Sequence, residues 1–374
     1  MSVEQNQESA QHDSDPAPYY EVIDCLYSDF DTECRLVVLG NYKQICIYVD
    51  EKSVHGSPPM AEKYLHFLRV MNAPDNELDG LDDQDFYNWI TDFYHPILRS
   101  FPPLPEDFQP TLQDRLCPNS ANYTLHVVDG EVVPMLDLHP NRAGGRRLYG
   151  VYIDDYLSTA FPSLHPRSVP ICKCPRGTLS PHKVIIDGTV YWFKHYLSGD
   201  DDIAGKEISN YKTIAQAGLE SDLRMSRLHG LVRDDETGRV FGLLLDYIDG
   251  KSMAMESLLR NASMDARRKW AVQIGYTVWR LHESGIVWGD AKADNVLIDH
   301  DDNAWVIDFG GARTEGWVEE DLTETVQGDL QGLGRIIEFL EIEDMTACGD
   351  GGIREGVGSQ TPEDIHQEDE GTGK

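Results

Sequence analysis

The strongest constraint in this sequence is a set of oxygen-bearing side chains placed around two short apolar stretches. Gly289-Asp290-Ala291-Lys292-Ala293-Asp294-Asn295 leads into Val296-Leu297-Ile298-Asp299, and Ala304-Trp305-Val306-Ile307 leads into Asp308-Phe309-Gly310. Apolar runs of this length, separated by the polar turn from Asp299 to Asn303, predict a β-hairpin. A hairpin returns the chain to the edge where it began. Asp290 and Asn295, before the first strand, and Asp308, after the second, are therefore expected at neighbouring strand ends. Two carboxylates and an amide oxygen in one place suit Mg²⁺, which takes a few hard oxygen ligands and keeps several of its waters.

The segments upstream have equally regular patterns. Lys183 to Ile186 and Thr189 to Lys194 read as two strands joined by Asp187-Gly188, with Lys194 near the end of the second. Ala204, Ile208, Tyr211 and Ala215 have helical spacing, with Glu207 at the border of that apolar face and Gly218 as a stop. Val240 to Leu245 reads as a strand running into Asp246-Tyr247-Ile248-Asp249-Gly250. Residues 266–283 read as a helix with Trp270, Ile274, Val278 and Leu281 on one face. Nearer the N-terminus, Arg35 to Leu39 and Ile45 to Val49 suggest a hairpin, and helices are expected over 61–71 and 86–98. A further hairpin is expected where Tyr123 to Val128 and Glu131 to Leu136 flank Asp129-Gly130.

Composition narrows the class of protein. With 40% hydrophobic and 26% charged residues over 374 positions, the chain can bury a sizeable core. It has no uncharged apolar stretch long enough to cross a bilayer, and its first residues are polar and acidic rather than a signal peptide, so an intracellular, cytoplasmic protein is expected. The 65 acidic against 32 basic residues give a net charge of −33, which repels nucleic acid and anionic membrane surfaces. Seven cysteines without regular spacing do not read as a disulfide framework. The pair Cys172 and Cys174 lacks the partners a metal site would need.

The Asp290-to-Asn295 spacing followed by Asp308-Phe309-Gly310 resembles the catalytic signature of protein kinases and their close relatives. The resemblance implies a two-lobed α+β fold that binds ATP and Mg²⁺. It implies that Asp290 accepts the proton of the attacking hydroxyl, that Lys292 steadies the transferred phosphoryl group, and that Asn295 and Asp308 hold the metal. By the same resemblance Lys194 holds the α- and β-phosphates and Glu207 positions it. The main-chain carbonyl of Asp246 and amide of Ile248 would face adenine, and Leu297 would floor the base. Asp329 resembles the buried aspartate that braces the catalytic loop, although it also reads as an N-cap for a helix over 330–340.

Three departures from the family pattern carry consequences. No G-x-G-x-x-G lies between Val169 and Lys183, where only Gly177 is placed to cover phosphates. Trp288-Gly289 stands where many protein kinases have His-Arg, so a phosphorylated activation segment would lack its usual counter-charge. No Ala-Pro-Glu follows Asp308, and little follows the last helix, which implies a truncated C-terminal lobe. The combination of Trp288-Gly289-Asp290, Asp308-Phe309-Gly310-Gly311 and Gly316-Trp317 resembles divergent protein-kinase-domain proteins of filamentous fungi.

The expected organisation is an arm at 1–18 and an α/β extension at 19–149 offering a surface for a protein partner. A kinase-like domain follows at 150–342, its N-lobe reaching about residue 245 and its C-lobe starting near 250, and then an acidic tail at 343–374. The expected activity is ATP- and Mg²⁺-dependent transfer to a protein Ser or Thr hydroxyl. A small-molecule kinase of the aminoglycoside or choline phosphotransferase type and a catalytically silent nucleotide-binding scaffold remain as alternatives.

Overall fold

Alternation of apolar and polar residues builds the first sheet. In the computed structural model, which describes residues 20–28, 31–138, 149–172, 182–219, 223–311 and 314–342, strands β1 (Glu21–Tyr27), β2 (Cys34–Gly40) and β3 (Lys43–Val49) form an antiparallel meander. The chain then passes through helices α1 (Glu51–Val54), α2 (Pro58–Met71), α3 (Asp83–Asp92), α4 (His95–Arg99) and α5 (Leu112–Leu116). It returns as β4 (Asn119–Val128), parallel to β3, and turns back as β5 (Glu131–Leu136). Leu36, Val38, Ile45, Ile47 and Val49 face α2 to α4, whose Tyr64, Phe67, Phe86 and Ile90 fill the core between them. The helix expected over 86–98 is two helices. Pro96 has no N–H to offer the carbonyl of the preceding turn and crowds it sterically, so the ladder stops after Asp92 and restarts at His95.

The second sheet has the order β6-β9-β10-β8-β7 among the described residues. After α6 (Asp155–Ser158), it comprises β6 (Ser163–Leu164), β7 (Lys183–Ile186), β8 (Thr189–His195), β9 (Leu228–Asp234) and β10 (Arg239–Asp246), with α7 (Asp201–Gln216) between β8 and β9. The β7–β8 turn places Asp187 at φ 49 and Gly188 at φ 80, the left-handed pair that a two-residue hairpin requires. One face of the sheet packs Leu231, Leu243 and Leu245 into the core that holds Ala204, Ile208, Tyr211 and Ile214 of α7. The other face, with Val184, Phe193, Phe241 and Leu244, is covered by Leu112 and Leu116 of α5.

That cover ties the extension to the second sheet. Leu112 N donates to Val169 O at 2.9 Å and Ile171 N to Pro110 O at 2.8 Å. Leu112 is fully buried and Leu116 nearly so, and burial of each contributes about 1.5–3 kcal/mol to docking. The second sheet thus takes part of its outer cover from a helix that precedes all of its strands in the chain.

The helical part below the sheet begins with β11 (Gly250–Ser252), α8 (Glu256–Asn261) and α9 (Met264–Glu283). It continues with β12 (Val296–Asp299) and β13 (Ala304–Val306), which pair with β11 as a small antiparallel sheet, and with α10 (Val326–Phe339). Trp270, Ile274, Val278 and Leu281 of α9 are buried beneath the loop that leads to β12. The architecture is α+β: a sheet-rich lobe over a helical lobe, with an N-terminal α/β extension. No helix among the described residues is long and apolar enough to cross a membrane. The arm at 1–18, the tail at 343–374, Cys174 and Gly177 lie outside the described residues.

Candidate active site

Two clusters of polar side chains meet between the lobes, and one main-chain bond joins them. The first is centred on Lys194, in β8 opposite Leu243 of β10. Its ammonium lies 3.0 Å from Glu207 and 2.7 Å from Asp308 Oδ1. Glu207 stands on the inward face of α7, fully buried rather than at its border, and also accepts a hydrogen bond from Tyr196 Oη at 3.0 Å. Burial works to neutralise Lys194, but the two carboxylates outweigh it and raise its pKa above the ordinary lysine value, so the ammonium stays charged.

Asp308 adopts φ 63, a left-handed conformation that aspartate tolerates better than most residues. Its surroundings hold it there. Gly310 N donates to Asp308 Oδ1 at 3.2 Å, Asn210 Nδ2 donates to Phe309 O at 2.8 Å, and the Phe309 ring is buried edge-on to Tyr211.

The second cluster surrounds Asp290. Asn295 Nδ2 donates to Asp290 O at 2.9 Å and to Asp290 Oδ2 at 3.0 Å, and Lys292 Nζ lies 2.5 Å from the same carboxylate oxygen. Asp290 Oδ1 accepts from the hydroxyl of Thr314 at 3.0 Å, and Thr314 Oγ1 accepts from Lys292 Nζ at 2.6 Å. Ile307 N donates to Asn295 O at 3.0 Å, which sets Asn295 beside the strand end that carries Asp308, as the hairpin pattern requires.

Next to both clusters lies Asp329, a carboxylate buried almost completely. It accepts from Trp288 N at 2.7 Å, Gly289 N at 2.8 Å and His282 Nε2 at 2.7 Å, and so fixes the backbone immediately before Asp290. The bracing reading describes this contact. The N-cap of the helix is Thr325, whose hydroxyl accepts from Gly328 N at 3.0 Å, so Asp329 stands inside the first turn rather than at the cap.

The remaining sequence-predicted positions line the join between lobes. Asp246 ends β10, and its carboxylate accepts from His229 Nε2 at 2.6 Å and Arg227 Nη1 at 3.2 Å. The amide of Ile248 makes no hydrogen bond among the described residues. Leu297, half-buried in β12, is paired with Ser252 just beyond this connection.

Mg²⁺ can be tested against these donors. Asn295 spends its amide nitrogen on Asp290 and keeps its carbonyl oxygen, while Asp308 keeps Oδ2 beside the oxygen that meets Lys194. No cluster of three or more His, Cys, Asp or Glu able to hold a metal occurs among the described residues. One amide and one carboxylate oxygen nevertheless fit an ion that completes its shell with water and phosphate. Sequence reasoning missed Thr314, Tyr196 and His282, whose roles come from contacts across 11 to 47 residues and which carry no local motif.

Comparison with known proteins gives matches to protein kinases over part of the chain. The family model described as protein kinase domain matches residues 220–330. The chain is similar to KEOPS complex subunit Bud32 of Pyrococcus abyssi, 32% identical over 97 residues, 26% of this chain and 40% of that one. It is also similar to wall-associated receptor kinase 4 of Arabidopsis thaliana, 38% identical over 92 residues (24% of this chain, 12% of the relative). A third match is serine/threonine-protein kinase OXI1 of the same plant, 32% identical over 85 residues (22% and 20%). In each case the match spans less than half of the relative's length.

Proposed function

We propose that this chain, which carries a protein-kinase-like domain, transfers the γ-phosphate of ATP to the hydroxyl of a protein Ser or Thr. The observation that carries the reading is Thr314. An aliphatic hydroxyl of the chain itself donates to Asp290 and accepts from Lys292, so this pair of charges accommodates the functional group the reaction needs. In the reaction the acceptor oxygen attacks the γ-phosphorus, the bond to the ADP oxygen breaks, and the acceptor proton passes to Asp290. Lys292 stabilises negative charge on the group in flight. Lys194, held by Glu207, meets the α- and β-phosphates. The amide of Ile248 and the carbonyl of Asp246 receive adenine over Leu297. Asn295 and Asp308 would hold Mg²⁺, which when bound supplies positive charge to the phosphates. The name of the OXI1 relative agrees with a Ser or Thr acceptor.

The test pairs nucleotide affinity with single-turnover transfer of labelled γ-phosphate to Ser/Thr peptides and to aminoglycoside and choline acceptors. Transfer to peptide is expected. Asp290→Asn should lower turnover by about two orders of magnitude or more while ATP affinity stays within about twofold, because the carboxylate acts on the proton and not on the nucleotide. Label on the small molecules alone, or ATP bound with no transfer, would overturn the reading.

A further inference from the structure

Lys206, the residue before Glu207 on α7, reaches the lower lobe. Its ammonium is ion-paired with Glu324, at the end of the segment that runs from Asp308 to α10. On the way it passes through a notch between two glycines. Gly289, in the loop before Asp290, has φ 88, and Gly311, after Asp308-Phe309-Gly310, has φ 70. A Cβ on Gly289 would lie 3.8 Å from Lys206 Nζ and 3.2 Å from the Gly311 backbone, and one on Gly311 would strike both the Lys206 ammonium and Glu324. Side chains at both positions would be strained by the backbone, and one at Gly311 would occupy the place of the lysine ammonium. Glu324 is followed at once by Thr325, the cap of α10, and within the next turn by Asp329, which holds the amide of the same Gly289.

From this arrangement we infer that Lys206 and Glu324 form an interlobe latch. It fixes α7, and with it Glu207 and Lys194, against the catalytic loop without any phosphate on the intervening segment. The latch also accounts for the glycine before Asp290. An arginine there would bring a second cation to Lys206 and would have to adopt a left-handed backbone. Glu324 supplies a permanent negative charge where a phosphorylated segment would supply a conditional one. Lys206 is therefore a positioning residue, and its effect on turnover rests on the reading given under Proposed function.

The test is a charge cycle on the full chain: Lys206→Glu, Glu324→Lys and the two combined, read by amide hydrogen exchange over α7 and residues 314–325 in the absence of nucleotide. Each single variant, bringing like charges together, should speed exchange in both segments by about two- to fivefold, the range for a partly exposed ion pair, and the combination should restore much of the protection. Where transfer is measurable, the singles should lower kcat and the swap should recover it, while phosphatase treatment of the wild type leaves kcat unchanged. Equal exchange in all four proteins, or additive losses with no rescue, would remove the latch. If the singles prove unstable, the milder Lys206→Met and Glu324→Gln variants carry the same comparison. A wild type that transfers nothing yet shows exchange rescue would overturn the catalytic reading and leave the latch standing.

Discussion

Replacing Asp329 by alanine tests the structural base of the site without reference to any activity. The carboxylate is 1% exposed and takes three hydrogen bonds of 2.7 to 2.8 Å, two of them from the buried amides of Trp288 and Gly289. A hydrogen bond to a charged group contributes about 1.5–3 kcal/mol net, and a buried amide left without a partner costs about 1–3 kcal/mol. The three bonds share one acceptor and are not additive, and the alanine variant no longer has to desolvate a charge. The loss should therefore be about 3–5 kcal/mol, the range for removing one partner of a buried charged contact. Asp329→Asn keeps one acceptor oxygen for an amide and should cost less, about 1–3 kcal/mol. Urea unfolding followed by tryptophan fluorescence reads both, since Trp288 stands in the braced loop. An alanine variant within about 1 kcal/mol of the wild type, or an asparagine variant as damaging as alanine, would refute the bracing argument.

Two further outcomes follow from the same geometry. Lys194→Met and Glu207→Gln should each weaken binding of ATP, and the double variant should lose clearly less than the sum of the singles, because both act through one contact of 3.0 Å; a nucleotide titration giving additive losses would dissolve the pair. Burial raises the Asp246 pKa, but the hydrogen bond and charge of His229 and the charge of Arg227 overcome it and hold the group below the ordinary value of 3.8. A depressed carboxylate stabilises the fold above its unfolded pKa, and that stability is lost as pH falls through the folded one. Wild type should therefore lose stability below about pH 4 more steeply than Asp246→Asn, and parallel acid-unfolding curves for the two proteins would contradict the assignment.

Much of the site could be read along the chain because its parts are local. The β12–β13 hairpin follows from two apolar runs and a polar turn, and once it forms Asn295 and Asp308 must share an edge. The β7–β8 turn, with Lys194 beyond it, follows from Asp187-Gly188, and α9 from the spacing of Trp270, Ile274, Val278 and Leu281. In these cases the period of the side chains and the dihedral demands of the turn act within a dozen residues, so the sequence alone determines them.

The tertiary structure decided what depends on distant contacts. Only packing of α7 against the sheet buries Glu207 completely and turns it to Lys194, while the preceding residue, Lys206, reaches Glu324 more than a hundred positions away. Thr314 has no motif, and it reaches Asp290 because the chain after Asp308 folds back across the loop. Asp329 looked equally suited to a cap and a brace, and the choice was made by two buried amides that needed an acceptor while Thr325 served the helix. The closure of α5 over the second sheet is of the same kind, since an apolar pair in a five-residue helix carries no address until the exposed faces of Phe193, Phe241 and Leu244 exist to be covered. Local periodicity specifies which face of an element is apolar, and only the assembled chain specifies which other surface that face meets.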